Sequence, residues 1–144
     1  MDMPSENIPP HEKFGFELLD KAFGEGLPKQ WENDYARIFW QCLEVYNGGF
    51  EQWIGNTGMK GAHETLEALQ RYSLNEAHRI TQEVFKLGNL EAFDEDKPIH
   101  EYLEETLEDW FKKFRLLDEA YWQQTDVIHA ALKREHHAHF VGLQ

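Results

Sequence analysis

The 144-residue chain has little cysteine, few basic side chains and no long apolar run, and each shortage excludes a class of protein. Its single cysteine, Cys42, has no partner for an internal disulfide, which is typical of a reducing compartment. No apolar run approaches membrane-spanning length, and the N-terminus lacks the basic start and apolar core of a secretory signal. We therefore expect a cytoplasmic protein that spans no membrane.

Basic side chains are scarce relative to acidic ones. The chain has 14 lysines and arginines against 27 aspartates and glutamates, so its formal net charge is −13 with histidine neutral. Because contacts to phosphate need lysine and arginine, this balance argues against direct binding of nucleic acid or of an anionic membrane. It favours a basic protein partner approached by electrostatic steering. The alternative is that the acidity only keeps the protein soluble.

The sequence also lacks the local motifs of common catalytic and cofactor sites. It contains no Gly-x-Ser-x-Gly, no P-loop and no His-Glu-x-x-His. His136, His137 and His139 lie within four residues, but the region offers no further fixed ligands for a structural metal site. We expect a frayed, solvated tail there. The prediction is therefore no catalytic residue, no metal site, no cofactor and no enzymatic activity.

Apolar side chains recur at helical spacing through most of the chain, and no segment alternates as a strand does. The clearest stripe follows steps of three and one residues along one helix face; its members are Tyr35, Ile38, Phe39, Cys42, Leu43 and Tyr46. Cys42 lies within this stripe, which predicts a small core residue and not a nucleophile. We predict an all-α, single-domain bundle of about six to seven helices over residues 12–144, after a flexible arm at residues 1–11.

Glycines predict several interruptions of the helices. Asn47-Gly48-Gly49 is expected to end the helix that carries the stripe, because Asn and Gly tolerate the left-handed conformation common at helix C-termini. A short helix is predicted near residues 50–54. Gly55, Gly58 and Gly61 then predict a loop.

Two further boundaries follow from local patterns. Ser73 and Glu76 have the spacing of a capping box, with Ser73 as the N-cap of a helix that ends near Gly88-Asn89. After an acidic loop at residues 89–97, Pro98 is expected to open the longest helix, whose inner-face residues continue as far as Tyr121. Phe111 is assigned to the inner face of that helix.

Residues 44–56 combine a helical glutamate, an Asn-Gly-Gly-Phe turn, an aromatic side chain and an asparagine. This stretch resembles the signature of an acidic, all-helical bacterial family whose best-understood type is a DNA-mimic protein. The resemblance extends more loosely over residues 30–140. Its matching positions are Glu44, Asn47, Gly48, Gly49, Phe50, Gln52, Trp53 and Asn56.

The signature residues are assigned a structural role. We expect the turn to reverse the chain and Phe50 to plug the core. The Asn56 amide is expected to bind backbone groups, and Glu44 to accept hydrogen bonds from the amides of the turn.

An acidic face at residues 91–119 holds eleven acidic side chains against four basic ones, a net of seven negative charges. On a helix, acids four residues apart lie about 5–6 Å from one another and destabilise it by a few tenths of a kcal/mol per pair. A surface that accepts this cost is consistent with selection for a negative field. The predicted partner-binding residues are Asp94, Glu95, Asp96, Glu101, Glu104, Glu105, Glu108 and Asp109. The alternative is an ordinary solvated face relieved by the pairs Glu108–Lys112 and Asp109–Lys113.

The resemblance implies an interaction protein that occupies the DNA-binding surface of a helix-turn-helix transcription regulator and blocks operator binding. It also implies a homodimer, because the family type forms dimers. A second hypothesis from the same charge is an immunity or antitoxin-like protein that neutralises a basic toxin. A third is an enzyme or metal protein that uses the histidines.

Overall fold

Helices account for nearly all of the regular structure in the computed structural model, which describes residues 7–24 and 26–140. No strand occurs in these ranges, which confirms the predicted all-α class. The six helices are α1 (Pro10–Gly24), α2 (Gln30–Arg71), α3 (Asn75–Leu87), α4 (Ile99–Thr106), α5 (Trp110–Trp122) and α6 (Thr125–Phe140). A short 3-10 helix at Leu90–Ala92 lies between α3 and α4.

Helix α2 is the centre of the fold, because α1, α3, α4, α5 and α6 all pack against it. Its side chains supply much of the core; Tyr35, Phe39, Phe50 and Trp53 are each fully buried. From outside α2, Tyr121 and Phe114 of α5 are among the largest buried side chains. The burial of Phe50 confirms its predicted role as a core plug, and Cys42 is a buried core residue as predicted.

Two glycines interrupt α2 without ending it. Gly49 (φ 82°, ψ 179°) and Gly58 (φ 79°, ψ 164°) depart from helical geometry and divide α2 into segments 30–48, 50–57 and 59–71. Both backbone conformations are essentially restricted to glycine. The predicted interruption at residues 47–49 is therefore confirmed. The predicted loop over Gly55 and Gly61 is wrong, because both of these glycines are helical.

The long helix predicted from Pro98 to Tyr121 is two helices. Leu107 is extended (φ −136°, ψ 110°), and Asp109 is left-handed (φ 55°), a conformation that aspartate tolerates better than most residues. The apolar stripe continues in step across the break, so periodicity alone did not reveal it. Packing sets it instead: α4 lies mainly against α2, whereas α5 packs against both α2 and α3.

The predicted capping box at the start of α3 is also wrong. Ser73 is left-handed (φ 57°), and the N-cap position is Leu74, which provides no side-chain cap. Glu76 forms an ion pair with Arg79 one turn later. The far end agrees with the prediction, because α3 ends at Leu87 and Asn89 is left-handed.

Two aromatic side chains assigned to inner faces lie outside. Tyr46 is 74% exposed and Phe111 is 68% exposed. Most of the predicted N-terminal arm, residues 1–6, falls outside the described residues. At its inner end, α1 already begins at Pro10, and His11 is buried.

Among the described residues, no helix is both long enough and apolar enough to cross a bilayer.

Candidate interaction surface

The Asn-Gly-Gly-Phe turn is held by a carboxylate from a distant helix. The left-handed Gly49 frees the backbone N–H of Phe50 from the helical ladder, and this group donates to Asp118 Oδ1 of α5 at 2.9 Å. Asp118 thus acts as the N-cap of segment 50–57. Burial raises the pKa of the Asp118 carboxyl, while the Phe50 N–H and Arg115 act in the opposite direction. The sequence carried no local signal of this contact, because 68 residues separate the two groups.

The second break of α2 is capped in the same way. Gly58 is left-handed, and the backbone N–H of Met59 donates to Glu95 Oε1 at 3.0 Å. Glu95 was predicted to bind a partner; the structure gives its carboxylate this capping contact. The loop 89–97 therefore has a structural connection to α2.

Glu44 and Asn56, two signature residues, bind one another. The buried Glu44 carboxylate accepts hydrogen bonds from Asn56 Nδ2 at 2.6 Å and from Gln52 Nε2 at 3.4 Å. The predicted contacts from Glu44 to turn amides and from Asn56 to backbone groups are therefore wrong. These side chains instead join segment 30–48 to segment 50–57 across the break at Gly49.

The predicted partner-binding acids are all exposed, and Lys97 lies near three of them: Glu105, Glu101 and Asp94. Within the described residues, only Glu105 among the eight is in an ion pair, with Lys97 Nζ at 2.7 Å. This contact raises the pKa of Lys97. The predicted relief of Glu108 by Lys112 and of Asp109 by Lys113 does not occur, because neither acid is in an ion pair in the part of the chain that the structure describes.

The acids divide between a helix face and two connections. Glu101, Glu104 and Glu105 share the outer face of α4, opposite the buried Ile99, Tyr102 and Leu103. Glu108 and Asp109 lie in the break between α4 and α5. Asp94, Glu95 and Asp96 lie in the loop before α4, where Asp94 Oδ1 accepts from the backbone N–H of Asp96 at 3.1 Å. We call the five residues Glu101, Glu104, Glu105, Glu108 and Asp109 the acid row. It is bent at Leu107 and is not one straight helical line.

Most arginines are engaged by the protein's own acids away from the acid row. Arg71 forms two hydrogen bonds with the buried Asp34, at 2.7 and 2.8 Å, and this contact raises the pKa of the arginine. The other pairs are Arg37–Glu64, Arg79–Glu76 and Arg115–Glu119. The protein therefore presents carboxylates on α4 and the α4–α5 connection that its arginines do not pair with, while Lys97 pairs with Glu105.

The predicted frayed tail at the C-terminal histidines is wrong as far as residue 140, because His136 and His139 belong to α6 and pack against other aromatic rings. The ring of His139 stacks on Trp31 with centroids 3.6 Å apart, and His136 packs against Phe14 and Phe140. Burial lowers the pKa of His136. These rings attach α6 to α1 and to the start of α2. Among the described residues, no group of three or more His, Cys, Asp or Glu side chains has an arrangement that would hold a metal ion.

Cys42 lies beside His129, which in turn contacts His11. His129 Nε2 is 3.7 Å from Cys42 Sγ, and His129 Nδ1 is 3.0 Å from His11 Nε2. Burial raises the pKa of the thiol to about 11, so the nucleophilic thiolate is disfavoured at neutral pH. Burial also lowers the pKa of His11. The geometry therefore fits core packing better than nucleophilic catalysis.

Fold and surface together define an acidic all-α protein with an exposed, largely unpaired row of carboxylates. A family model described as DMP19-like protein matches residues 25–139, and the chain belongs to this family. Membership in this family suggests DNA mimicry. A comparison with curated proteins and one with solved structures each found no match. The family predicted from residues 44–56 is confirmed; the contribution of the individual signature residues to that membership stays a prediction.

Proposed function

We propose that this protein acts by binding and not by catalysis: in the cytoplasm, its acid row occupies the DNA-binding surface of a basic protein and blocks access of that protein to DNA. A helix-turn-helix transcription regulator is the partner class that the family resemblance favours. The single observation that carries the proposal is the exposure of the acid row, of which only Glu105 is in an ion pair.

The charge distribution supports competition with DNA. Duplex DNA carries one negative charge per about 1.7 Å of its axis, so a surface that binds it presents several arginines or lysines. Contiguous carboxylates that are mostly without an ion pair attract the same cations and speed the encounter through their long-range field. The bend of the row at Leu107 distributes the charges over a helix face and the adjoining connection, so the surface is broader than one helix stripe.

Affinity capture with a matched pair of charge variants tests the proposal. Glu101→Gln/Glu108→Gln removes two acids of the row that have no ion pair. Glu17→Gln/Asp20→Asn removes two exposed acids of α1 and changes the net charge equally. The wild type and the α1 variant are expected to capture from native lysate, at low salt, a protein that binds DNA. The acid-row variant is expected to capture less of it, with a flatter dependence on salt.

The captured protein is then tested for competition. Addition of the wild-type protein should release a labelled DNA duplex from the captured protein in a gel-shift assay. Equal capture by both charge variants, or a ternary complex with DNA, contradicts the proposal. Capture of a nuclease toxin whose activity is lost in the complex supports the immunity alternative instead. Light scattering of the free protein tests the homodimer that the resemblance implies.

A further inference from the structure

A groove lies between the signature turn and helix α5, and five aromatic side chains line it. Its volume is about 300 Å³. The aromatic lining consists of Tyr46, Trp110, Phe111, Phe114 and Trp122. Tyr46 and Phe111 are the exposed aromatics that the sequence had assigned to the core. Their exposure leaves aromatic surface available to a partner.

Two features of this aromatic groove favour a cation. The carboxylates of Glu51 and Asp118 line it, together with the single guanidinium of Arg115. Aromatic faces attract ammonium and guanidinium groups within about 6 Å of the ring centroid. An anionic ligand would meet the two carboxylates unfavourably.

The groove already holds one guanidinium group from the protein itself. The Arg115 Cζ atom lies 4.8 Å from the centroid of the Trp122 ring, while its Nε is 3.3 Å from Glu119 Oε1. At one end of the groove, a guanidinium group therefore already lies within cation–aromatic distance of a ring. The remaining aromatic surface, with Tyr46, Trp110 and Phe111, has no such cation in the described part of the chain.

Trp110 connects the aromatic groove to the acid row. Its indole N–H donates to Glu104 Oε2 at 2.9 Å, so an acid-row carboxylate binds a ring that also lines the groove. Asp109 immediately precedes Trp110 and is left-handed, which places the row and the groove on either side of one turn. A basic segment drawn to the acid row therefore meets the groove as its neighbour.

We propose that the aromatic groove receives an arginine side chain of the basic partner, an assignment that rests on the proposed function. The guanidinium group lies against Trp110 and Phe111 and faces the carboxylates of Glu51 and Asp118. The acid row provides the long-range attraction, and the groove provides the short-range anchor. Buried or partly buried arginines paired with aromatic side chains are common among residues that dominate interface affinity.

The test uses a defined probe, the peptide acetyl-Gly-Arg-Gly-amide, and the ¹H–¹⁵N spectrum of the full chain. The indole N–H signals of Trp110 and Trp122 are expected to shift saturably with the peptide. A peptide with citrulline in place of arginine is a neutral isostere, and it should bind more weakly. Phe111→Ala should weaken arginine-peptide binding about two- to fivefold, the range expected for an exposed cation–aromatic contact.

Leu116→Ala is the matched control, because Leu116 is 66% exposed on the same helix and does not line the groove. Its peptide affinity should equal that of the wild type. Unmoved indole signals, equal binding of the citrulline peptide, or equal affinities of the Phe111 and Leu116 variants would overturn the inference. The two proposals can fail independently. If Glu101→Gln/Glu108→Gln loses partner capture but the wild-type protein does not bind the arginine peptide, only the arginine-binding role of the groove is refuted. If the arginine peptide binds in the groove, the arginine-binding role of the groove is supported, even where Glu101→Gln/Glu108→Gln captures the partner as well as the wild type does.

Discussion

Replacement of Gly49 by alanine tests whether the signature turn builds the fold. Gly49 has φ 82° and ψ 179°, a conformation that costs a residue with a side chain about 1–3 kcal/mol. A Cβ atom placed there lies 2.5 Å from Asp118 Oδ2, so the carboxylate has to move. Its movement breaks the cap on the Phe50 N–H, and loss of an N-cap costs about 0.5–2 kcal/mol. We expect Gly49→Ala to lower the free energy of unfolding by about 1.5–5 kcal/mol.

Urea denaturation followed by far-UV circular dichroism measures this change. The urea concentration at the midpoint of unfolding should be lower for Gly49→Ala than for the wild type. The m-value should be the same for both proteins, because unfolding exposes the same surface. In a thermal scan the expected fall in Tm is roughly 5–15 °C, at about 3 °C per kcal/mol for a chain of this size. Gly58→Ala should be less harmful, because its Cβ meets only the end of the exposed Glu95 side chain.

Gly24→Ala is the matched control, because Gly24 ends α1 and a Cβ there meets nothing within 4 Å. It should be neutral or slightly stabilising. A double-mutant cycle with Asp118→Ala adds a sharper condition: removal of the carboxylate should cost much less in the Gly49→Ala background than in the wild type. Stability of Gly49→Ala within about 0.5 kcal/mol of Gly24→Ala, a difference typical of unconstrained surface sites, would refute the capping argument.

Three further predictions concern buried polar and titratable groups. Glu44→Ala should lower the free energy of unfolding by about 1–3 kcal/mol, because Asn56 and Gln52 lose a charged acceptor, and Glu44→Gln should cost less in the same urea titration. Cys42 should resist iodoacetamide at pH 8 in the native protein and react fully in urea, as measured by mass, because its pKa is about 11 in the fold. His11 and His136 have lowered pKa values in the fold, so their contribution to stability is present above the unfolded pKa of about 6.5 and is lost as pH falls through the lower folded values. Tm should therefore fall between pH 8 and pH 5, and less steeply in His136→Gln; parallel pH profiles for the two proteins would contradict this.

The sequence predicted the features that local spacing determines. Apolar steps of three and four residues identified the helical segments, and the Asn-Gly-Gly sequence located a break of α2, because only glycine adopts the required φ without strain. The burial of Cys42 followed from its place in the stripe. The exposure of the acidic side chains followed from their charge, since an unpaired carboxylate is rarely buried.

Several features that the sequence did not predict depend on contacts between distant segments. The stripe remains in phase from Ile99 to Tyr121, yet packing on α2 and α3 divides it at Leu107. The caps provided by Asp118 and Glu95 join residues 68 and 36 positions apart, so no local pattern reports them. The exposure of Tyr46 was also missed, because stripe periodicity does not reveal which part of a helix face the other helices cover.

The two capping carboxylates show that some acidic side chains of this protein stabilise the fold, while others are available for binding. Asp118 and Glu95 each satisfy a backbone N–H that a glycine break in α2 leaves free. Their replacement should alter stability first, with binding following only through the shape of the turn. Glu101 and Glu108 are exposed and have no ion pair, so their replacement should alter binding first. Replacement of each acid in turn, with stability and partner capture measured separately, should therefore sort the acids into these two groups. An acid-row variant that is destabilised as much as an Asp118 variant would instead show that the row is structural.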